Sequence, residues 1–320
     1  MSDLQDWGSN AIRGMYFAAR ESNPGAAWLG GVSNLFGSDQ ASETYKFLGA
    51  NSIFRQWVGQ RQANGFRGDG VTILNVHYEN TIEVAKTDLR RDKTGQLQAL
   101  IAEFSMSGDT HWASLVSTLI VNGEATVCYD GQYFFDTDHS TASSGSQSND
   151  ITVDISAMPA ALHGVVTAPS AEEMQWAILK GCLQIASLKD DRGEPMNENA
   201  SRFLVMVPFG LAPAAMAAVS QLNVAQNPSN MNPNLFRGLN VEVVSNVRLD
   251  AAGWTDKFAV FRTDSPIKAL IRQTEQEDEF KLKGAGSEFE FDNDAWQIGL
   301  DGWRGCGYGY WQRACLVTLT

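Results

Sequence analysis

The stretch from Gly95 to Val121 limits the possible folds most. Leu97, Leu100, Ile101, Phe104, Trp112, Leu115, Val116, Leu119 and Ile120 recur there at helical spacing. A stripe this apolar is insoluble if exposed, so the spacing predicts a long helix packed along much of its length. Gly108 and Asp109 are where it should kink or split. Burying such a helix needs a sizeable core, and 320 residues with 43% hydrophobic and 19% charged side chains can form one. One large domain or two intimate ones are expected.

Charge and cysteine usage remove several classes of function. The 24 Lys and Arg against 37 Asp and Glu leave a net charge of −13, which disfavours general nucleic-acid binding and anionic membranes. Met1 to Trp7 carries neither the basic region nor the apolar core of a signal peptide, so a cytosolic product is expected. The longest apolar stretch, Phe203 to Val219, contains Pro208 and Pro213 and is shorter than the ~20 residues of a membrane helix. Cys128, Cys182, Cys306 and Cys315 form no CxxC pair and have no histidine at ligand spacing, which favours buried, reduced thiols.

Before the long helix lies a leader of about 50 residues, with helical character over Asp3 to Arg20 and aromatic side chains that include Trp7, Tyr16, Phe17, Trp28, Phe36 and Tyr45. These side chains either reach another surface or cover the chain's own core. Two β-rich runs, Val71 to Val76 and Thr81 to Ala85, then suggest a hairpin or loop excursion, basic through Arg55, Arg61, Arg67, Lys86, Arg90, Arg91 and Lys93. After the helix, Ser170 and Glu173 form a capping-box pattern ahead of Met174, Ile178, Cys182 and Ile185. Strand patterns at Phe203–Val207, Val241–Val244 and Phe258–Phe261, a helix from Ala212, and an Asn/Pro-rich loop at Asn227–Asn234 suggest an α/β unit around a central sheet. β-like sequence returns at Ile267–Ile271, Trp296–Leu300 and Gly307–Leu319.

Little of this carries chemistry. Asp136, Asp138 and His139 share one loop and could hold a divalent metal that activates water, the pattern of a metal-dependent hydrolase. No complementary His/Asp/Glu cluster accompanies them, so the aspartates more naturally cap turns while Tyr133, Phe134 and Phe135 anchor the loop. No nucleophile elbow, phosphate loop or dinucleotide fingerprint is present. The Gly-rich end, Gly302 to Trp311, reads as a bent, packed strand. A charge contrast stands out instead: Glu275, Glu277, Asp278, Glu279, Glu288, Glu290, Asp292 and Asp294 make one stretch acidic, opposite in sign to the hairpin region.

The string CYDGQYFFDTDH at Cys128 to His139, with Phe54-Arg-Gln-Trp-Val-Gly-Gln-Arg61, resembles the major head (major capsid) subunit family of Mu-like phages and prophages, from about Thr44 to the carboxyl terminus. The resemblance implies an α+β, HK97-like (Hong Kong 97) major capsid protein fold. Its parts would be an N-terminal arm (1–50), an extended β-hairpin loop (51–93), a peripheral domain in two parts (94–165, with the long spine helix, and 265–320) and an axial domain (166–264). It implies a structural protein without cofactor, bound metal or catalysis, self-assembling into hexamers and pentamers of an icosahedral phage head around double-stranded DNA. Assembly in the bacterial host cytoplasm, the virion capsid as final location and no membrane role follow. Scaffold and protease would be separate proteins, with a portal and minor or cement capsid proteins as further partners. Arg61, Arg67, Lys86, Arg90 and Arg91 of one subunit would face Glu275, Glu277, Asp278 and Glu279 of another. The alternatives are a nanocompartment shell of the same fold and the hydrolase reading of Asp136, Asp138 and His139. No motif assigns a Lys–Asn crosslink.

Overall fold

A computed structural model describes residues 2–22, 25–46, 70–91, 95–140, 144–156, 164–220, 223–227, 230–233 and 239–320. The Trp-Val-Gly motif, Arg61 and Arg67 therefore lie outside the described residues, as do the side chains of Arg90 and Arg91. In chain order the first elements are α1 (Ser2–Ser22), α2 (Leu29–Val32), β1 (Ser33–Gly37), β2 (Ser42–Lys46), β3 (Gly70–Leu74) and β4 (Val76–Ala85). Helices α3 (Lys86–Arg91), α4 (Gln96–Ser105) and α5 (Ser107–Val121) follow, then β5 (His139–Ser140), β6 (Ser146–Gln147) and β7 (Asp150–Val153). Next come α6 (Ala171–Ser187), β8 (Arg202–Val207), α7 (Ala212–Ser220), β9 (Asn223–Asn227), β10 (Asn230–Pro233), β11 (Asn240–Ser245) and α8 (Val247–Ala251). The chain finishes with β12 (Lys257–Arg262), β13 (Leu270–Lys283), α9 (Glu288–Asn293), β14 (Ala295–Tyr308) and β15 (Ala314–Leu319).

A five-stranded sheet, in the order β11-β8-β12-β15-β7, forms the largest core. Its central strands are apolar at consecutive positions because both faces are covered. Phe203, Val205 and Val207 of β8, Phe258 and Val260 of β12, and Cys315, Val317 and Leu319 of β15 pack with Met174, Ile178, Cys182 and Ile185 of α6. The intervening residues Leu204, Met206, Ala259, Phe261, Ala314 and Leu316 face the opposite way, toward Val116 and Ile120 of α5, Leu29 and Val32 of α2, and Phe134, Phe135 and Trp311. The capping box at Ser170 and Glu173 forms as the sequence predicts. Gly181 is needed where α6 crosses the sheet, since a Cβ there would stand 2.9 Å from Val260 and 3.0 Å from Val317.

The second sheet has the order β1-β13-β14-β4, with β1 parallel to β13 and the other pairs antiparallel. One face carries Ile298, Leu300 and Trp296 and is covered by Ile12 and Tyr16 of α1 and by Ile101 and Phe104 of α4. Part of the leader thus covers the chain's own core, whereas Leu35 and Phe36 stay exposed. The long apolar helix is split at Met106, two residues before Gly108, so that α4 serves this sheet and α5 the larger one.

Two local expectations need correction. The runs at 71–76 and 81–85 do not pair with each other: β3 ladders with β2, Lys46 opposite Gly70, while β4 ladders with β14. The chain thus enters and leaves residues 47–69 at one point. The expected loop at 227–234 includes an antiparallel pair, β9 with β10. The acidic run after Ile271 forms the 14-residue strand β13 followed by α9. Among the described residues no helix is long and apolar enough to cross a membrane.

Candidate assembly surfaces and the Asp130–His139 cluster

Strand alternation divides the acidic candidates between two faces. Glu275, Glu277 and Glu279 of β13 are exposed. Asp278 points the other way and pairs with Arg304 of β14, whose Nη1 donates to the Gly108 carbonyl at 3.1 Å and whose guanidinium lies 5.0 Å from the Trp112 ring centroid. A Cβ at residue 108 would collide with the Asp278 carboxylate, so this glycine permits α5 to sit against the ion pair. Burial lowers the Arg304 pKa, against the charge of Asp109, which raises it. Lys86 pairs with Glu290 of α9 within the same chain. That ammonium, followed by the Gly286 N–H at 2.7 Å, holds the Glu290 carboxyl down to about 2. Of the nine charged contact candidates, Lys86 and Asp278 therefore serve intrachain pairs; Glu275, Glu277 and Glu279 lie exposed on one face of β13, where Glu279 also accepts from Gln276 and lies 3.5 Å from exposed Lys281.

The loop after α5 is built around His139. Its side chain is fully buried and stacked on Trp311, centroids 3.9 Å apart and planes 6° from parallel. Nδ1 lies 2.7 Å from Asp130 Oδ2 and Nε2 lies 3.1 Å from Asn149 Oδ1. Asn149 Nδ2 donates to the carbonyls of Phe134 (2.8 Å) and Trp311 (3.3 Å), so its Oδ1 must be the acceptor. Each ring nitrogen therefore faces an oxygen, Asp130 Oδ2 on one side and Asn149 Oδ1 on the other. Burial raises the Asp130 carboxyl pKa, but hydrogen bonds from His139 and Cys128 outweigh it, and the net shift is downward.

This geometry disposes of the Asp136–Asp138–His139 metal centre. Asp136 accepts from the backbone N–H groups of Tyr133 (3.2 Å) and Thr137 (2.7 Å), the turn-capping role expected of it. The exposed Asp138 carboxyl is raised chiefly by its hydrogen bond to Asp136, and neither aspartate bonds the imidazole. Phe134 and Phe135 are buried anchors, but Tyr133 is 45% exposed and is not one. The partner that sequence reading missed is Asp130, nine residues before His139 in the same quoted string.

Cys128, Asp130 and His139 do bring ligand-type atoms within 4.8 Å of one another. Their polar atoms are engaged with one another and with Asn149, Cys128 Sγ donating to Asp130 Oδ1 at 2.9 Å. Burial, then the charge of Asp130, pushes this thiol far above its ordinary value, so it supplies neither a thiolate ligand nor a nucleophile near neutral pH. The cluster is a pin that joins the loop to β7 and to the turn before β15.

Residues 14–160 match the family model of the Mu-like prophage major head subunit gpT. The Mu-like prophage FluMu major head subunit of Haemophilus influenzae is 35% identical over 108 residues, which cover 34% of this chain and 35% of that protein. The major capsid protein of Escherichia phage Mu is 30% identical over 108 residues, with the same shares. The match thus spans about a third of the length of each of these relatives. The procapsid subunit of bacteriophage JBD30 superposes with a TM-score of 0.57 at 20% identity, covering 99% of this chain and 76% of that one. The resemblance read from the sequence holds over residues 14–160, where the chain matches the Mu-like major head subunit family; beyond residue 160 the fold alone continues it, and over nearly its whole length the chain has the HK97-like, α+β fold of a phage capsid subunit.

Proposed function

We propose that this chain is a major capsid protein, many copies of which assemble through hexamers and pentamers into the icosahedral head of a Mu-like phage or prophage around double-stranded DNA. The match of residues 14–160 to a head-subunit family carries the reading. The fold supports it, as does the inert chemistry of the buried Cys128–Asp130–His139 cluster. The same family match disfavours a nanocompartment shell of this fold.

The proposed division is an arm (1–50), an extended loop (51–93), a peripheral domain in two parts (94–165 and 265–320) and an axial domain (166–264). The five-stranded sheet is shared across these boundaries, because β7 and β15 complete a sheet whose other strands belong to the axial part. Scaffold and protease act as separate proteins, with portal, cement proteins and packaged DNA as further partners, and the product resides in the virion capsid after assembly in the host cytoplasm. Arg61, Arg67, Arg90 and Arg91 lie over the Glu275, Glu277 and Glu279 edge of a neighbour, setting register more than affinity. Sedimentation velocity tests the reading. Expressed alone and with its neighbouring scaffold product, the chain should shift into particles of viral size; a monomer under both conditions overturns it.

A further inference from the structure

Helix α9 caps the hairpin between β13 and β14 and carries Phe291, which at 91% exposure is the most exposed large hydrophobic side chain among the described residues. The helix is held in place beneath it: Ser287 Oγ accepts from Glu290 N–H at 3.2 Å, and the Glu290 carboxylate is engaged by Lys86 and Gly286. A rigid acidic turn, with Glu288, Asp292 and Asp294 exposed around the ring, thus offers an aromatic knob to solvent. Such a side chain on a pre-ordered turn loses little freedom on docking.

At the other end of β13 lies a hollow of about 300 Å³, walled by Phe36, Tyr45, Ile267 and Tyr310. Lys46 and Lys268 also line it, the Lys268 ammonium donating to the Thr263 carbonyl at one wall, and among the described residues no carboxylate lines it. Its shape is set by Asn34, which donates to the Pro266 carbonyl at 2.8 Å and accepts from Lys268 N–H at 2.7 Å. Phe36 (42%) and Ile267 (39%) remain exposed at its mouth.

We propose that Phe291 of one copy seats in this hollow of the next copy, with the acidic rim of α9 facing Lys46 and Lys268. The contact rests on the shell reading above and names two surfaces that carry it. Knob and hollow match in both polarity and charge. They cannot meet within one chain, because the 14 residues of β13 hold them about 45 Å apart at the usual strand rise. The contact is therefore head-to-tail, and contacts of that kind propagate from copy to copy and close into rings when the rotation permits.

Disulfide trapping tests it. In particles built from a Phe291→Cys, Ile267→Cys double variant, mild oxidation should give ladders of linked chains on non-reducing gels, and either single variant should give only the wild-type background. Phe291→Ala should leave the folded subunit unchanged and weaken each contact about 30-fold, the equivalent of ~2 kcal/mol of lost aromatic burial. Particles that form normally yet yield no ladder, or that assemble at the same subunit concentration with Phe291→Ala, overturn the contact and leave the shell reading standing. A wild-type chain that forms no particles with its scaffold overturns the shell reading, and this contact with it.

Discussion

Asp130→Asn isolates the electrostatic part of the buried pin while keeping the shape of the side chain. Asp130 and His139 are 1% and 0% exposed, and their contact is 2.7 Å. Removing the charge leaves the imidazole facing a neutral amide in a dry site. Losing a buried hydrogen bond to a charged group costs about 1.5–3 kcal/mol, and the amide oxygen recovers part of this, so a loss of about 1–3 kcal/mol is expected. Urea unfolding of the unassembled subunit at pH 7 measures it.

The sign of the pH dependence follows from the lowered carboxyl of Asp130. A carboxylate whose folded pKa lies below its unfolded value stabilises above the unfolded pKa and loses that contribution as the pH falls through the folded one. The gap between wild type and Asp130→Asn should therefore be full at pH 7 and should shrink as the pH drops below about 4. A double-mutant cycle with His139→Ala should return most of the loss as coupling. A gap under about 1 kcal/mol at pH 7, or a gap that does not change on acidification, refutes the reasoning.

Gly108→Ala places a methyl on the Asp278 carboxylate and should cost about 1–3 kcal/mol, read as a lowered Tm; Gly14→Ala, with nothing within 4 Å of the new methyl, is the control and should cost nothing. Replacing Arg61, Arg67, Arg90 and Arg91 together with Glu should block particle formation and leave the circular dichroism of the subunit intact. Normal particles from that variant would remove the electrostatic register. Burial pushes the thiols of Cys182 and Cys306 up to about 12 and about 11, and that of fully buried Cys315 well above its ordinary value. A thiol reagent at pH 8 should therefore label them slowly before unfolding and readily after it. Fast labelling of native Cys182 or Cys315 would contradict the packing of α6 on the five-stranded sheet.

Features set by neighbours along the chain were legible in the sequence. The α6 capping box, the break near Gly108 and the strands β8, β11 and β12 each follow from signals a few residues apart. What a strand pairs with is not local, which is why β3 and β4 read as one hairpin when their partners are β2 and β14. The length of β13 was legible and overlooked: Gln276, Asp278, Phe280 and Leu282 alternate with Glu275, Glu277, Glu279 and Lys281, a period of two masked by the density of charge. His139 shows the same limit at a single side chain. Its nearest carboxylates in sequence, Asp138 and Asp136, bond backbone or each other, and the fold returns Asp130 and Asn149 to it instead.

Cryo-electron microscopy of particles assembled from this chain with its scaffold bears most directly on the claim that the molecule works by self-association. The account predicts closed icosahedral shells whose repeating unit is the two-sheet subunit described above, with the β13–α9 edge of each copy against its neighbour. Homogeneous preparations that hold only separate subunits, with or without the scaffold, would contradict it.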